Sequence, residues 1–171
     1  EIPPSNRLKV AKCNDPACSG ENETNTTITT VETYPPDHAL DFQALAIGAD
    51  GFPVISYAEY DYSVYPETYY LKVAKCNNAT CSSVTLTTVD STGSVGFSTS
   101  LAIGTDTFPV ISYYDQTNAN LKVVKCNDPA CVPGGETFTT IDSAGDVGTD
   151  TSLALGSDGF PVISYFDNTN Q

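Results

Sequence analysis

The side chains best equipped for chemistry are six cysteines, found as Cys13/Cys18, Cys76/Cys81 and Cys126/Cys131, with four residues between the members of each pair. An even count at one repeated spacing points to three local disulfides and an oxidising compartment. Zinc is the rival chemistry for paired cysteines. It normally takes a second pair or a histidine nearby, and His38 is the sole histidine. By the chain-entropy estimate each small loop contributes roughly 2 kcal/mol.

Carboxylates come next. Asp50, Asp106 and Asp158 recur at equivalent places and are candidate oxygen ligands for Ca²⁺. No stretch follows the Asp-x-Asp-x-Asp-Gly pattern of a calcium loop, and Asp beside Gly is ordinary hairpin-turn chemistry, so the turn role is favoured. Glu59, Asp115 and Asp167 form a second recurring set with the same two readings. Paired carboxylates of the kind that hydrolyse glycosides are the enzymatic alternative that an Asp-rich sequence leaves open. A serine triad would need His38, which sits in Pro35-Pro36-Asp37-His38 with no Gly-x-Ser-x-Gly nearby, so His38 reads as an ordinary loop residue. There is no phosphate loop, dinucleotide fingerprint or metal-histidine motif.

Three further sets concern binding. Tyr57, Tyr60, Tyr62, Tyr65, Tyr69 and Tyr70 crowd one stretch. Exposed aromatic planes stack on sugars or anchor protein interfaces, whereas the bland role is packing of a long loop on its own sheet. The six lysines, Lys9, Lys12, Lys72, Lys75, Lys122 and Lys125, fall in one repeated strand, where they are expected to blunt and solubilise an outer edge. Asn22, Asn25 and Asn78 each open an Asn-x-Thr glycosylation pattern.

The elements that must position these groups form a repeat. Leu-Lys-Val begins at Leu8, Leu71 and Leu121, and Pro-Val-Ile-Ser-Tyr at Pro53, Pro109 and Pro161. Leu-Ala-Ile-Gly or its Leu variant begins at Leu45, Leu101 and Leu153. Thr-Val or Thr-Ile followed by an acid recurs after Thr30, Thr88 and Thr140. Self-similarity at a period near 50 residues marks a repeat architecture. The chain reads as one repeat domain over 1–171, in parts 1–42, 43–98, 99–150 and 151–171. In the cleanest copy four short strands are predicted, Ser100–Gly104, Pro109–Tyr114, Leu121–Cys126 and Thr137–Asp142, because Val, Ile, Tyr and Thr runs are bounded by Asp, Asn, Gly and Pro. Val110, Ile111, Tyr113 and Tyr114 make the second strand apolar on both faces. A sheet with one wet face would alternate, so both faces must be covered, as in the stacked blades of a β-propeller.

The run SLAIGTDTFPVISYYDQTNANLKVVKCNDPAC, with TTIDS after it, resembles tandem β-propeller-like repeats of secreted and cell-surface proteins from environmental bacteria. The resemblance covers nearly the whole chain and implies a fold without an activity, since propellers host binding, scaffolding and catalysis alike. The expected fold class is all-β and β-propeller-like, with about three four-stranded antiparallel blades, one of them split between the N- and C-terminal strands. A split blade closes one ring or joins successive chains into a filament.

Charge narrows the partners. A net charge of −14 and a pI near 4.1 oppose binding to nucleic acid. No apolar run reaches the length of a membrane span. The missing initial Met and signal peptide read as a mature or excised segment. The expectation is a non-catalytic extracellular structural or adhesive module at the cell surface. It needs no cofactor beyond candidate Ca²⁺ and self-associates, with a fibril subunit as its sharpest form. A carbohydrate-binding propeller is the alternative, and a glycosidase-like enzyme ranks below it.

Overall fold

The computed structural model describes residues 7–13 and 27–169. Among them the chain is all-β. Twelve strands run in order: β1 (Arg7–Lys12), β2 (Thr27–Thr33), β3 (His38–Ile47), β4 (Pro53–Asp61), β5 (Thr68–Cys76), β6 (Val84–Asp90), β7 (Val95–Ile103), β8 (Pro109–Asp115), β9 (Asn120–Lys125), β10 (Thr137–Asp142), β11 (Val147–Leu155) and β12 (Pro161–Asp167). They form four antiparallel sheets, β1-β2, β3-β4-β5-β6, β7-β8-β9-β10 and β11-β12, with every pairing between consecutive strands.

The sheets pack face to face in chain order. Leu8, Val10 and Val31 of the first sheet meet Ile55, Tyr57 and Ala74 of the second. Val54, Leu71 and Val73 on the second sheet's other face meet Leu101 and Ile111 of the third. Val110 and Val123 of the third meet Leu153 and Ile163 of the fourth. β8 therefore lies between two covered faces, and all seven of its residues are buried. This is the physical reason for its unbroken apolar run.

The first strand of each repeat is longer than expected. β7 begins at Val95 rather than Ser100. A β-bulge between Phe97 and Ser100 interrupts the pairing, and Ser98 takes a left-handed conformation with φ 50°. Phe42 and Asp150 do the same at the equivalent bulges, with φ 54° and 50°. Such a bulge resets the alternation, so sequence periodicity registers only the part beyond it. The tyrosine-rich insertion lengthens the β4–β5 hairpin, whose ladder extends to Asp61 paired with Thr68.

Disulfides Cys76–Cys81 and Cys126–Cys131 close the loops after β5 and β9, and their four half-cystines are buried. These cross-links fit an oxidising compartment. Cys13 is also disulfide-bonded, whereas Cys18 lies outside the described residues.

Candidate functional site

The most elaborate chemistry lies at the seams between sheets. At the second seam Asp90, the last residue of β6, accepts hydrogen bonds from the Tyr113 hydroxyl of β8 at 2.6 Å and from Lys122 Nζ of β9 at 2.9 Å. Lys122 also lies 3.7 Å from Asp115. Burial pushes the Asp90 carboxyl up, but hydrogen bonds from Thr92, Tyr113 and Lys122 outweigh it and hold the group at about 2. Burial and the same carboxylate drive the Tyr113 hydroxyl upward, so the cluster sets a fixed carboxylate and phenol beside Lys122.

The first seam repeats this pattern. Tyr57 donates to Glu32 of β2, and Lys72 Nζ contacts Glu59 at 2.9 Å, Glu32 at 3.4 Å and the Tyr34 hydroxyl at 2.8 Å. At the third seam the Tyr165 hydroxyl donates to Asp142 at 2.8 Å. The fourth sheet has only β11 and β12 among the described residues, so no third strand brings a lysine to Asp142. A backbone hydrogen bond from Ala144, then the one from Tyr165, hold the Asp142 carboxyl low, against the nearby Asp167 charge that pushes it up.

A second recurring contact sits at the turn after each first strand. Asp50 Oδ1 accepts the Phe52 amide at 3.0 Å, and its Oδ2 pairs with Lys75 at 2.7 Å. Asp106 takes the Phe108 amide and pairs with Lys125 at 2.9 Å. These ammonium groups also lie over the rings of Phe52 and Phe108, at 5.4 and 5.3 Å. Asp158 takes the Phe160 amide at 3.0 Å in the same way, with no lysine beside it among the described residues. The three aspartates thus make turns, and two carry ion pairs. No group of three or more metal-type side chains gathers among the described residues.

The lysines therefore do more than blunt an outer edge. Lys72, Lys75 and Lys122 are buried or half-buried in ion pairs, whereas Lys9 and Lys12, their counterparts on β1, are exposed. His38 opens β3 rather than sitting in a loop. Its Nδ1 lies 2.7 Å from Glu59 and its Nε2 3.6 Å from Asp61, with the ring stacked on Tyr34.

The tyrosine set divides. Tyr60 stacks on Tyr69 at 4.2 Å and meets Tyr62 edge-on at 4.6 Å, while Tyr69 leans on Phe97 of the next sheet at 4.0 Å. Those rings bind the insertion to the body of the protein. Tyr65 is 98% exposed, and Tyr70 is half-buried in β5. Asn78 Oδ1 accepts the amides of Thr80, inside the Cys76–Cys81 loop, and of Ser82, just past it, both at 3.1 Å. Asn22 and Asn25 lie outside the described residues.

Equivalent repeat positions differ in exposure at the two ends of the stack. Val162 of β12 is 64% exposed, where its repeat counterparts Val54 and Val110 are at 1% and 5%. Leu45 of β3 is 53% exposed, where Leu101 and Leu153 are each at 8%. Between β1 and β3 runs an apolar groove of about 170 Å³ lined by Val10, Ala11, Leu45, Ile47 and Pro53. At the equivalent places beside β7 and β11 the space is filled by the second strand of the preceding sheet, β4 and β8 respectively.

Sequence reasoning registered Glu32, Asp90 and Asp142 only as part of a repeated string. The signal available was co-recurrence, since an acid, a tyrosine and a lysine each return once per repeat. No protein-family model, curated protein or solved structure matches the chain.

Proposed function

We propose that this protein is a non-catalytic extracellular structural or adhesive module, built from propeller-like blades, that works by associating with copies of itself. The observation that carries the reading is a pair of strands whose repeat counterparts are interior. β1 and β12 each have one hydrogen-bonded neighbour among the described residues, where their counterparts β5 and β9, and β4 and β8, have two, and apolar side chains that are buried at equivalent inner positions lie exposed beside them. Long unpaired edges flanked by apolar surface are pairing sites. Further support comes from the charged groups. Lys72 with Glu32 and Lys122 with Asp90 brace neighbouring sheets, and His38–Glu59 and Lys125–Asp106 tie elements within one sheet, contacts suited to a structural role. The disulfides suit life outside the cell.

In this reading a blade is completed between chains, and repetition of a head-to-tail contact gives a fibril, or a ring if the rotation closes. Electron microscopy and sedimentation of the unreduced protein over a hundredfold concentration range test it. Multi-chain fibres or rings are expected. A monomer throughout that range overturns the proposal.

A further inference from the structure

The geometry points to a specific joint: β12 of one copy pairs antiparallel with β1 of the next, in the register that the inner sheets already use. This inference rests on the self-association reading above and names its partner surface and chemistry. The inner sheets supply the template. Val54 faces Lys75, Ser56 faces Val73 and Tyr57 faces Lys72. Val110, Ser112 and Tyr113 face Lys125, Val123 and Lys122 in the same way. β12 carries Val162, Ser164 and Tyr165 at those places, and β1 carries Lys12, Val10 and Lys9. Transferring the register sets Val162 opposite Lys12, Ser164 opposite Val10 and Tyr165 opposite Lys9.

Three independent features agree with that placement. The first is charge. Lys122 meets the Asp90–Tyr113 pair at the inner seam. The same move brings Lys9 to the Asp142–Tyr165 pair, which has its hydrogen bond but no ammonium among the described residues. The second is the turn. Lys75 and Lys125 each sit on an aspartate and over a phenylalanine ring. Lys12 would take Asp158 and Phe160, and Phe160 is exposed. The third is apolar fit. Leu153 packs on Val110 and Val123, so Leu45 would pack on Val162 of the neighbour and on its own Val10. The groove between β1 and β3 is the space β12 would fill. Basic residues lie on one edge and acidic ones on the other, so the contact is head-to-tail and excludes like edges by repulsion.

Two charge-reversed proteins test the joint, one carrying Lys9→Glu with Lys12→Glu and the other Asp142→Lys with Asp158→Lys. Each alone should lose assembly at least tenfold in concentration; the lysine-reversed protein should keep native thermal unfolding, whereas the aspartate-reversed one also gives up the Tyr165, Ala144 and Phe160 hydrogen bonds inside the chain and should melt lower while still folding. An equimolar mixture should regain two-chain or longer species, because one variant keeps a native β12 edge and the other a native β1 edge. If the parent assembles and both variants assemble equally well, or mixing restores nothing, the joint is overturned while self-association stands. A parent that stays monomeric overturns both. Register is read by oxidative cross-linking. Val162→Cys should link to Lys12→Cys of another copy, and preferential linking of Ser164→Cys to Lys12→Cys would overturn this register.

Discussion

Asp90 shows what one carboxylate contributes between two sheets. Its folded value of about 2 lies below the ordinary 3.8 because hydrogen bonds from Thr92, Tyr113 and Lys122 overcome its burial. A depressed carboxyl stabilises the fold above the unfolded value, and that stability fades as pH falls toward the folded one. The contribution is about 2 kcal/mol at neutral pH, lost between roughly pH 4 and pH 2. Asp90→Asn should therefore be about 2 kcal/mol less stable than the parent at pH 7 in urea unfolding, with a smaller loss on acidification. Equal acid sensitivity of the two proteins would move this role elsewhere. The sequence displayed Asp90 plainly, at the end of a Thr-Thr-Val-Asp string. Its tyrosine partner is 23 residues away, a contact created by sheet packing that no local spacing encodes.

At the scale of the element, most strand limits were legible and the start of the first strand was not. The second, third and fourth strands of the cleanest repeat lie within a residue or so of their expected bounds. The first does not, because the bulge at Ser98 divides its pattern. On the N-terminal side of the bulge the backbones of neighbouring sheets come close. A Cβ on Gly148, at φ +108°, would stand 2.7 Å from Leu121 Cα, and one on Gly96 2.9 Å from Leu71 Cα. Gly51 also has positive φ, at +80°, but nothing lies within 4 Å of its would-be Cβ. Gly148→Ala should thus cost about 2–4 kcal/mol through clash plus backbone strain. Gly51→Ala should cost about 1 kcal/mol through strain alone. Denaturant melts of the two variants side by side separate these terms, and equal losses would show that the sheets part without penalty. The Cys-x4-Cys loops follow the same division. The spacing is a sequence property, whereas the burial of their sulfurs comes from the sheet packed against them.

For the whole molecule, the same residue type at the same repeat position meets two environments. Leu101 lies inside the stack and Leu45 at its open side. Leu101→Lys should lose about 3 kcal/mol or more, since it buries an unpaired charge. Leu45→Lys should leave monomer stability within about 0.5 kcal/mol of the parent and abolish assembly. Thermal unfolding and sedimentation together read both effects. A Leu45→Lys protein as unstable as Leu101→Lys would mean that the groove beside β3 is covered within a single chain. A net charge of −14 sets up mutual repulsion between copies, and Arg7, Lys9 and Lys12 of β1 are exposed charges of the opposite sign.

The sequence by itself determined the all-β class, the repeat, the cysteine spacing and the covering of both faces of β8. These are properties of side-chain period and short-range geometry, and they survive in one dimension. The tertiary structure decided which lysine meets which acid, where the bulges fall, that His38 belongs to a strand, and which copies of a repeated residue are exposed. Each of those depends on a neighbour brought close by sheet-on-sheet packing. Identical strings in a repeat carry no record of whether a sheet lies on both sides of them or on one.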